Sequence, residues 1–100
     1  MMEYMPEVIQ VIPTEDYTVY VYFDDGSIKL FDAKKIIQQG VFQPLQDITL
    51  FIDSCTVLNG TLAWDLEGNY SESTCLDIDP FTIYEESPEV EEPTHLFSFK

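Results

Sequence analysis

The chain has 100 residues, 45% hydrophobic and 14% aromatic, which fits a single ordinary folded domain. Nineteen Asp and Glu residues stand against four Lys and no Arg, and the formal net charge is -15. Because nucleic-acid binding draws its affinity from basic side chains at the phosphates, this composition predicts no direct nucleic-acid binding. The shortage of basic residues also argues against docking on an anionic membrane surface. The composition is compatible with a protein partner of basic character.

The amino terminus lacks a basic region followed by an apolar stretch, and no apolar run reaches membrane-spanning length. We therefore expect a cytoplasmic protein outside the membrane. Cys55 and Cys75 form no CxxC pair and have no clustered histidines around them, so we predict two buried thiols. A single disulfide is the alternative, although a reducing compartment disfavours it.

Val8 to Ile12 and Tyr17 to Phe23 are β-branched and aromatic runs that predict the first two strands. A two-residue loop at Asp25-Gly26 would pair Phe23 with Ile28 and Val21 with Leu30. In that register one face of the hairpin is apolar. The opposite face carries Thr18, Tyr20, Tyr22, Lys29 and Phe31.

Tyr20, Tyr22 and Phe31 on that second face are candidate partner-binding residues, because aromatic side chains dominate interface hot spots. The alternative is cover from within the same chain. The predicted helix, the stretch from Phe42 to Phe51, or the carboxyl-terminal tail would then pack on this face.

Asp32 is a predicted N-cap for a short helix over Ala33 to Gln39, with Gly40 as its left-handed stop. Phe42, Leu45 and Phe51 follow in a stretch predicted as a loop or a short helical turn packed on the sheet.

The clearest hairpin signal is Asn59-Gly60, which lies between two apolar runs and predicts a type I′ turn. This turn would set Val57 opposite Leu62 and Cys55 opposite Trp64. Residues 65–74 are predicted as a polar loop. Cys75 to Ile78 is predicted as the last strand, and Asp79-Pro80 as a turn.

After Tyr84 the composition becomes acidic and proline-containing, which predicts a folded domain over residues 1–84 and a flexible tail over residues 85–100. Leu96, Phe97 and Phe99 near the end are further candidate partner-binding residues. They would add a strand to a partner's sheet edge or form a frayed terminus.

Asp77 and Asp79 project from one side of a predicted strand, within reach of one substrate, and so are candidates for acid and base chemistry. A structural role for both is the alternative, because Asp79 before Pro80 is an ordinary turn starter. The EF-hand spacing of acids and glycine fails in the Asp65 to Tyr70 segment, and the single His95 lies in the predicted tail. We therefore predict no catalytic residue, no cofactor and no metal site.

An ordered series of short motifs resembles the bacterial family called domain of unknown function 2442, over about Pro6 to Tyr84. The motifs are Phe23-Asp24-Asp25-Gly26, Phe31-Asp32, Phe42, Leu45, Phe51, Gly60 to Trp64, and Leu76-Asp77-Ile78-Asp79-Pro80 with Tyr84. The segment from Asp65 to Thr74 departs from the family pattern as an insertion. The resemblance implies a small α+β fold, and the family supplies no catalytic residues to carry over.

The resemblance implies that some relatives carry a helix-turn-helix domain after this module. It also implies that others are similar to products of genes paired with small toxins. Residues 85–100 are too few and too acidic for that DNA-binding domain.

The predicted fold is α+β, with a small meandering, mainly antiparallel β-sheet and one short helix packed on it. The predicted function is a non-enzymatic protein-binding module, antitoxin-like or a regulatory accessory protein, whose partner is a protein of basic character. The alternative is a small hydrolase or metal-dependent enzyme that uses Asp77 and Asp79, and DNA mimicry by an acidic surface is a third hypothesis. The sequence makes no prediction of oligomeric state.

Overall fold

The computed structural model of the chain describes residues 5–66 and 75–92. Its strands form two antiparallel sheets, each a three-stranded meander, so the predicted α+β class is confirmed while the strands divide between two sheets. The first sheet has the order β1-β2-β3 and the second the order β4-β5-β6. The strands are β1 (Val8–Pro13), β2 (Thr18–Phe23), β3 (Ile28–Asp32), β4 (Cys55–Leu58), β5 (Thr61–Asp65) and β6 (Cys75–Ile78).

Short helices join and flank the sheets. Two are 3₁₀ helices over Ile36–Gln38 and Gly40–Gln46, and two are α-helices, α1 (Ile48–Ser54) and α2 (Pro80–Glu86). An aspartate N-cap precedes each α-helix, and its carboxylate accepts a hydrogen bond from the backbone amide two residues on. Asp47 accepts from Thr49 at 3.1 Å, and Asp79 accepts from Phe81 at 3.2 Å. Within the described part of the chain, no helix has the length and apolar character needed to cross a membrane.

The prediction of a helix over Ala33 to Gln39 is wrong. Asp32 does accept a hydrogen bond from the Lys34 backbone at 2.9 Å, as the prediction required. Only one 3₁₀ turn follows, because Gln39 takes an extended backbone conformation that ends it. The helical content lies further along the chain instead, where Leu45 and Phe51 enter the core from the stretch that was predicted as a loop or short helical turn.

The hairpin of β4 and β5 is confirmed in its register. Cys55 lies opposite Trp64 and Val57 opposite Leu62, as the Asn-Gly turn predicted. Asn59 and Gly60 both have positive φ angles, 53° and 75°, which the type I′ turn requires.

The register predicted for the hairpin of β2 and β3 is wrong by one residue. Tyr22 pairs with Ile28, and Tyr20 with Leu30, because the loop has three residues rather than two. Phe23 accepts a hydrogen bond from the Gly26 amide at 3.0 Å and donates its own amide to the Ser27 carbonyl at 2.9 Å. Only Gly26 of this loop has a positive φ, which fits a turn followed by one left-handed residue.

The core forms where the inner face of the first sheet meets the second sheet and the helices. Trp64 is fully buried beside Phe51, their ring centroids 5.5 Å apart, and its indole nitrogen donates a hydrogen bond to the Phe51 carbonyl at 3.1 Å. The other large, fully buried side chains are Val8, Val19, Val21, Phe23, Leu45, Leu62 and Ile83.

The helix α2 replaces the simple turn expected at Asp79-Pro80. Pro80 occupies its first position, where a missing amide hydrogen costs nothing. Beyond α2, the part of the predicted tail that the structure describes lies along the edge of β3. There the Pro88 carbonyl accepts from the Leu30 amide at 3.0 Å, and the Val90 amide donates to the Ile28 carbonyl at 2.8 Å.

Candidate functional site

The first sheet turns an apolar face away from the core. Val19, Val21 and Phe23 point into the core, so Tyr20 and Tyr22 between them point outward. Residues directly opposite in the register share a face, which brings the neighbouring strands' aliphatic side chains beside these tyrosines. We define this outer face by Ile12, Tyr20, Tyr22, Ile28 and Leu30, all of which are half-buried.

A groove of about 940 Å³ extends from one end of the outer face. Tyr20 and Leu30 form one side of it, and the turn between β1 and β2 forms the other. Ile52 of α1 and Lys34 complete its wall, and Glu15 and Asp16 lie at its rim. An apolar side chain presented by a partner would therefore meet Tyr20, Leu30 and Ile52 in this groove, beside charged groups at its edge.

Tyr17 holds the shape of this groove. It has a positive φ of 61°, an uncommon conformation for a residue with a bulky side chain. Its ring packs edge-on against Phe51 with centroids 5.3 Å apart, and its hydroxyl donates a hydrogen bond to the Gln46 carbonyl. These contacts anchor the turn to α1 and to the preceding 3₁₀ helix.

The far end of the outer face lies close to the last described residues. Burial raises the pKa of the Tyr22 phenol, and the negative charge of Glu92 raises it further, with a smaller contribution from Tyr20. The Tyr22 hydroxyl oxygen is itself buried, and among residues 5–66 and 75–92 it has no hydrogen-bond partner.

The structure separates the aromatic residues that the sequence grouped as candidates. Tyr20 and Tyr22 lie on the outer face, whereas Phe31 lies opposite Val19 and packs against the core. The shared face predicted for the three is therefore wrong, because the three-residue loop shifts β3 by one position. Leu96, Phe97 and Phe99 lie outside the described residues.

Sequence reasoning missed the aliphatic half of the outer face. The predicted register puts Ile28 and Leu30 on the apolar face with Phe23 and Val21, and Ile12 is assigned only to the first strand. The signal that could have placed them is Asp24-Asp25-Gly26-Ser27, where the Asp25 carboxylate accepts from both the amide and the hydroxyl of Ser27, at 2.9 and 2.5 Å. This is the side-chain turn that an aspartate makes with the backbone two residues on, and here it accompanies the three-residue loop.

Asp77 and Asp79 line an open cleft of about 570 Å³ beside the Asn59-Gly60 turn. Both Asp79 oxygens are engaged at the start of α2, one by the Phe81 amide and the other by the Thr82 hydroxyl, each at 3.2 Å. Asp77 is exposed on the neighbouring strand. Across residues 5–66 and 75–92, no three side chains of the metal-binding types cluster closely enough to hold an ion.

Cys55 carries a free thiol on β4. Its contact with the core cluster and burial beneath neighbouring side chains raise its pKa to about 12, so the thiol stays protonated at neutral pH. The buried thiol predicted at this position has no feature of a catalytic nucleophile.

Comparison with known proteins places the chain in a family. No curated protein and no solved structure matches it. The sequence profile described as "Protein of unknown function (DUF2442)" matches residues 8–89, a range that runs from the start of β1 to the segment beside β3. The chain therefore belongs to the DUF2442 family, the family whose motifs it resembles.

Proposed function

We propose that this protein is a non-enzymatic binding module, antitoxin-like or a regulatory accessory protein, that holds a segment of another protein on the outer face of its first sheet. The observation that carries this proposal is the outer face itself, a half-buried aromatic and aliphatic surface with a groove at one end. Tyrosines on a rigid sheet lose little side-chain entropy on binding and are enriched in interface hot spots.

The proposed partner presents apolar side chains flanked by basic ones. The whole chain carries a net charge of -15, and acids lie at the groove rim and next to Tyr22. Opposite charge on a partner would speed encounter and favour it over acidic competitors. The same surface charge repels nucleic-acid phosphates and anionic lipids.

Two of the four lysines contact other side chains within the fold. Lys34 lies 3.4 Å from Asp32, and the Lys29 ammonium group sits 4.9 Å from the centre of the Tyr84 ring. Both therefore already have neighbours within the fold, and the acidic character of the surface supports the basic partner.

Capture from a lysate of the source cells, compared between matched variants of the full chain, tests the proposal. Tyr20→Ser/Leu30→Ser changes the outer face, and Val41→Ser changes an apolar residue that is 67% exposed elsewhere on the surface. We expect one protein of basic character to be captured by the wild type and by Val41→Ser, and lost with the double variant. Equal capture by all three proteins would contradict the proposal, provided circular dichroism shows that each is folded.

Salt dependence gives a second measurement once the partner is purified. Exposed charges are screened over about 8 Å at 0.15 M salt and over about 3 Å at 1 M. Association should therefore slow markedly between these two concentrations, while dissociation changes less. An association rate that does not depend on salt would contradict the attraction between the acidic surface and a basic partner. Only the apolar contacts with the outer face would then support the proposal.

The hydrolase or metal-dependent alternative has one observation in its favour, the open cleft beside Asp77 and Asp79. It is the weaker proposal, because Asp79 is engaged in capping α2. Calorimetric titration of the full chain with Mg²⁺, Mn²⁺ and Zn²⁺ tests it, with Asp77→Asn/Asp79→Asn as the control, since Asn also caps helices well. Heat that vanishes in the double variant would favour a metal site. Absence of heat in the wild type would exclude the metal-dependent form.

A further inference from the structure

Residues 88–90 widen the outer face by one strand, because they form an antiparallel bridge to β3. The Leu30 amide donates to the Pro88 carbonyl at 3.0 Å. One step along, the Val90 amide donates to the Ile28 carbonyl at 2.8 Å. Residues that lie directly opposite each other share a face of the sheet. The side chains of Pro88 and Val90 therefore extend the outer face, and Val90 is half-buried there.

The widened outer face consists of two rows of side chains that run across four strands. Alternate residues of a strand share a face, so the two rows lie about 7 Å apart along the strands. The four strands together span about 14 Å. One row is Ile12, Tyr20, Leu30 and Pro88, and the other is Gln10, Tyr22, Ile28 and Val90.

The β3 edge of the first sheet is already paired. An extended peptide usually joins a sheet by hydrogen bonding to the backbone of an edge strand. Residues 88–90 take that place on β3 through their bonds to Ile28 and Leu30. The segment itself is a poor template for a further strand, because it is short and Pro88 has no amide hydrogen.

The β1 edge of the same sheet is interrupted. A bulge lies between Val8 and Gln10, and the strand ends at Pro13. The Val8 amide is used by the second sheet, since it donates to the Gly60 carbonyl at 2.8 Å. Bulges and prolines at a sheet edge disfavour the addition of another strand. We therefore expect a partner to contact the outer face rather than either edge.

An α-helix fits the dimensions of the outer face. Residues four apart on a helix are separated by about 6 Å along its axis, close to the spacing of the two rows. A helix with its side chains is about 10–12 Å wide, which the four strands accommodate. Helices also pack readily on one face of an antiparallel sheet. A helix that lies along β2 can therefore place successive apolar turns on successive rows.

Acidic side chains lie at both ends of β2, the central strand of the first sheet. Glu15 and Asp16 are exposed in the turn before it, and Asp24 and Asp25 are exposed in the loop after it. The six residues of β2 span about 20 Å, which is the length of about 13 residues of α-helix. Basic residues at the two ends of such a helix would lie near these two groups of acids.

We propose that the partner segment held on the outer face is an amphipathic α-helix of about 13 residues that lies along β2, with one apolar side and with Lys or Arg at both ends. This inference rests on the proposed function, because it names the kind of segment that the same face binds. It also assigns Val90 to the binding surface, beside Ile28. The apolar side of the helix packs on the two rows, and its basic ends meet the acids of the two turns.

Two synthetic peptides with the same leucine and lysine content test the inference on the full chain. Both are about 14 residues long with lysine at each end. One has its leucines at helical spacing, and the other has them at every second position, as in a strand. Affinity is measured by fluorescence anisotropy, and helix formation in the mixture by circular dichroism. We expect the helical peptide to bind about tenfold more tightly than the alternating one.

Variants of the outer face locate the bound peptide. Tyr20→Ser/Leu30→Ser should weaken binding of the helical peptide about tenfold, and Val41→Ser should leave it unchanged. Circular dichroism of each variant alone checks that it is folded.

Two neighbouring residues of the segment beside β3 give a second, matched comparison. Val90 lies in the outer face, whereas Glu89 lies opposite Lys29, whose ammonium group reaches the Tyr84 ring. Lys29 is itself opposite the buried Val21, so this pair belongs to the other face of the sheet. Val90→Ser should weaken binding of the helical peptide about fivefold, and Glu89→Gln should change it less than about twofold. Both substitutions keep the backbone amides, and this pair decides the question if the double variant does not fold.

Equal or tighter binding of the alternating peptide, lost in Tyr20→Ser/Leu30→Ser, would overturn the helical partner while the outer face remained a binding site. No binding of either peptide would also overturn it, and so would binding of the helical peptide that no outer-face variant weakens, since charge alone would then explain the affinity. The proposed function is judged separately, by capture from the lysate with the outer-face variants. A captured partner together with a failed helical peptide would therefore reject only the inference.

Discussion

The two hairpins of this protein begin from similar sequence signals and end in different registers. One turns at Asp25-Gly26 in the first sheet, and the other at Asn59-Gly60 in the second. Both dipeptides are typical of a two-residue loop between antiparallel strands. Only the second hairpin forms one, and the first takes a third residue, Asp24, into its loop.

The reason lies in which residues adopt a left-handed backbone. Asn59 and Gly60 both do so, whereas in the first hairpin only Gly26 does. Asp25 is held by Ser27 through its carboxylate, and the Tyr84 hydroxyl donates a further hydrogen bond to that carboxylate at 2.7 Å. Asparagine tolerates the left-handed region better than most residues do, and aspartate here satisfies its side chain in another way.

The extra loop residue decides what the first sheet shows to solvent. Because side chains alternate along a strand, a shift of one residue exchanges the two faces of β3. Phe31 moves to the core side, and Ile28 and Leu30 join the tyrosines outside. The proposed partner-binding face is therefore a direct product of loop length.

The largest expected effect concerns the hairpin whose register was predicted correctly. Trp64→Ala removes a fully buried side chain and its hydrogen bond to the Phe51 carbonyl. We expect the free energy of unfolding, measured by urea denaturation, to fall by about 3–5 kcal/mol. A loss below about 1 kcal/mol would mean that the second sheet does not hold Trp64 in the core.

A pair of neighbouring substitutions tests the register of the other hairpin. Phe31→Ala should lower the free energy of unfolding by about 2–3 kcal/mol, because Phe31 packs against the core. Leu30→Ala should cost less than about 1.5 kcal/mol, since Leu30 lies on the half-buried outer face. The register with a two-residue loop predicts the opposite order, so the ranking of the two variants in urea denaturation distinguishes the registers.

The turn glycines should differ in what their replacement disturbs. Gly26→Ala and Gly60→Ala each place a side chain at positive φ, which costs about 1–2 kcal/mol. A Cβ at position 60 would also lie 2.9 Å from the Glu7 side chain, whereas position 26 has open space. In a Glu7→Ala background the cost at position 60 should therefore fall and that at position 26 should stay the same. Equal costs at position 60 in both backgrounds would contradict the contact.

The smallest effect concerns the carboxylate that shapes the longer loop. Hydrogen bonds from Ser27 first, and then from Tyr84, hold the pKa of Asp25 below its usual 3.8. A carboxylate with a lowered folded-state pKa stabilises the protein above its unfolded-state pKa, and this contribution is lost as pH falls through the folded-state value. The loop should therefore lose support only below about pH 4.

Carbon-detected titration of Asp25 measures this directly. Ser27→Ala should raise the Asp25 pKa more than Tyr84→Phe does, and Tyr20→Phe, whose hydroxyl lies on the outer face, should leave it unchanged. A larger rise in Tyr84→Phe than in Ser27→Ala would reverse the assigned order of the two hydrogen bonds.

Much of the local structure was predictable from the residues near each element. Strand β6 was predicted over the residues it occupies, and the register of β4 and β5 followed from their turn. Helix α2 was predicted only as a turn, and α1 lies in a stretch predicted as a loop or a short helical turn, although their N-caps, Asp47 and Asp79, are visible in the sequence. Each has only seven residues, too few to show the 3.6-residue periodicity by which helices are recognised.

Some residues of the candidate site were likewise placed correctly from the sequence, and others were not. Tyr20 and Tyr22 were placed on one face because alternation within a single strand needs no knowledge of any turn. Phe31 was misplaced because the faces of β3 depend on loop length, and that length depends on side-chain contacts of Asp25 that are not coded by the dipeptide itself.

The sequence by itself determined the strong negative charge, the strand-forming runs, the Asn-Gly turn and the family of this protein. The tertiary structure decided the division into two sheets, the composition of the outer face and the pairing of residues 88–90 with β3. The physical reason is the distance along the chain over which each kind of interaction acts. Charge, propensity and turn chemistry act within a few neighbouring residues, while sheet faces and edge pairing depend on contacts such as that of Tyr84 with Asp25, between residues far apart in the chain.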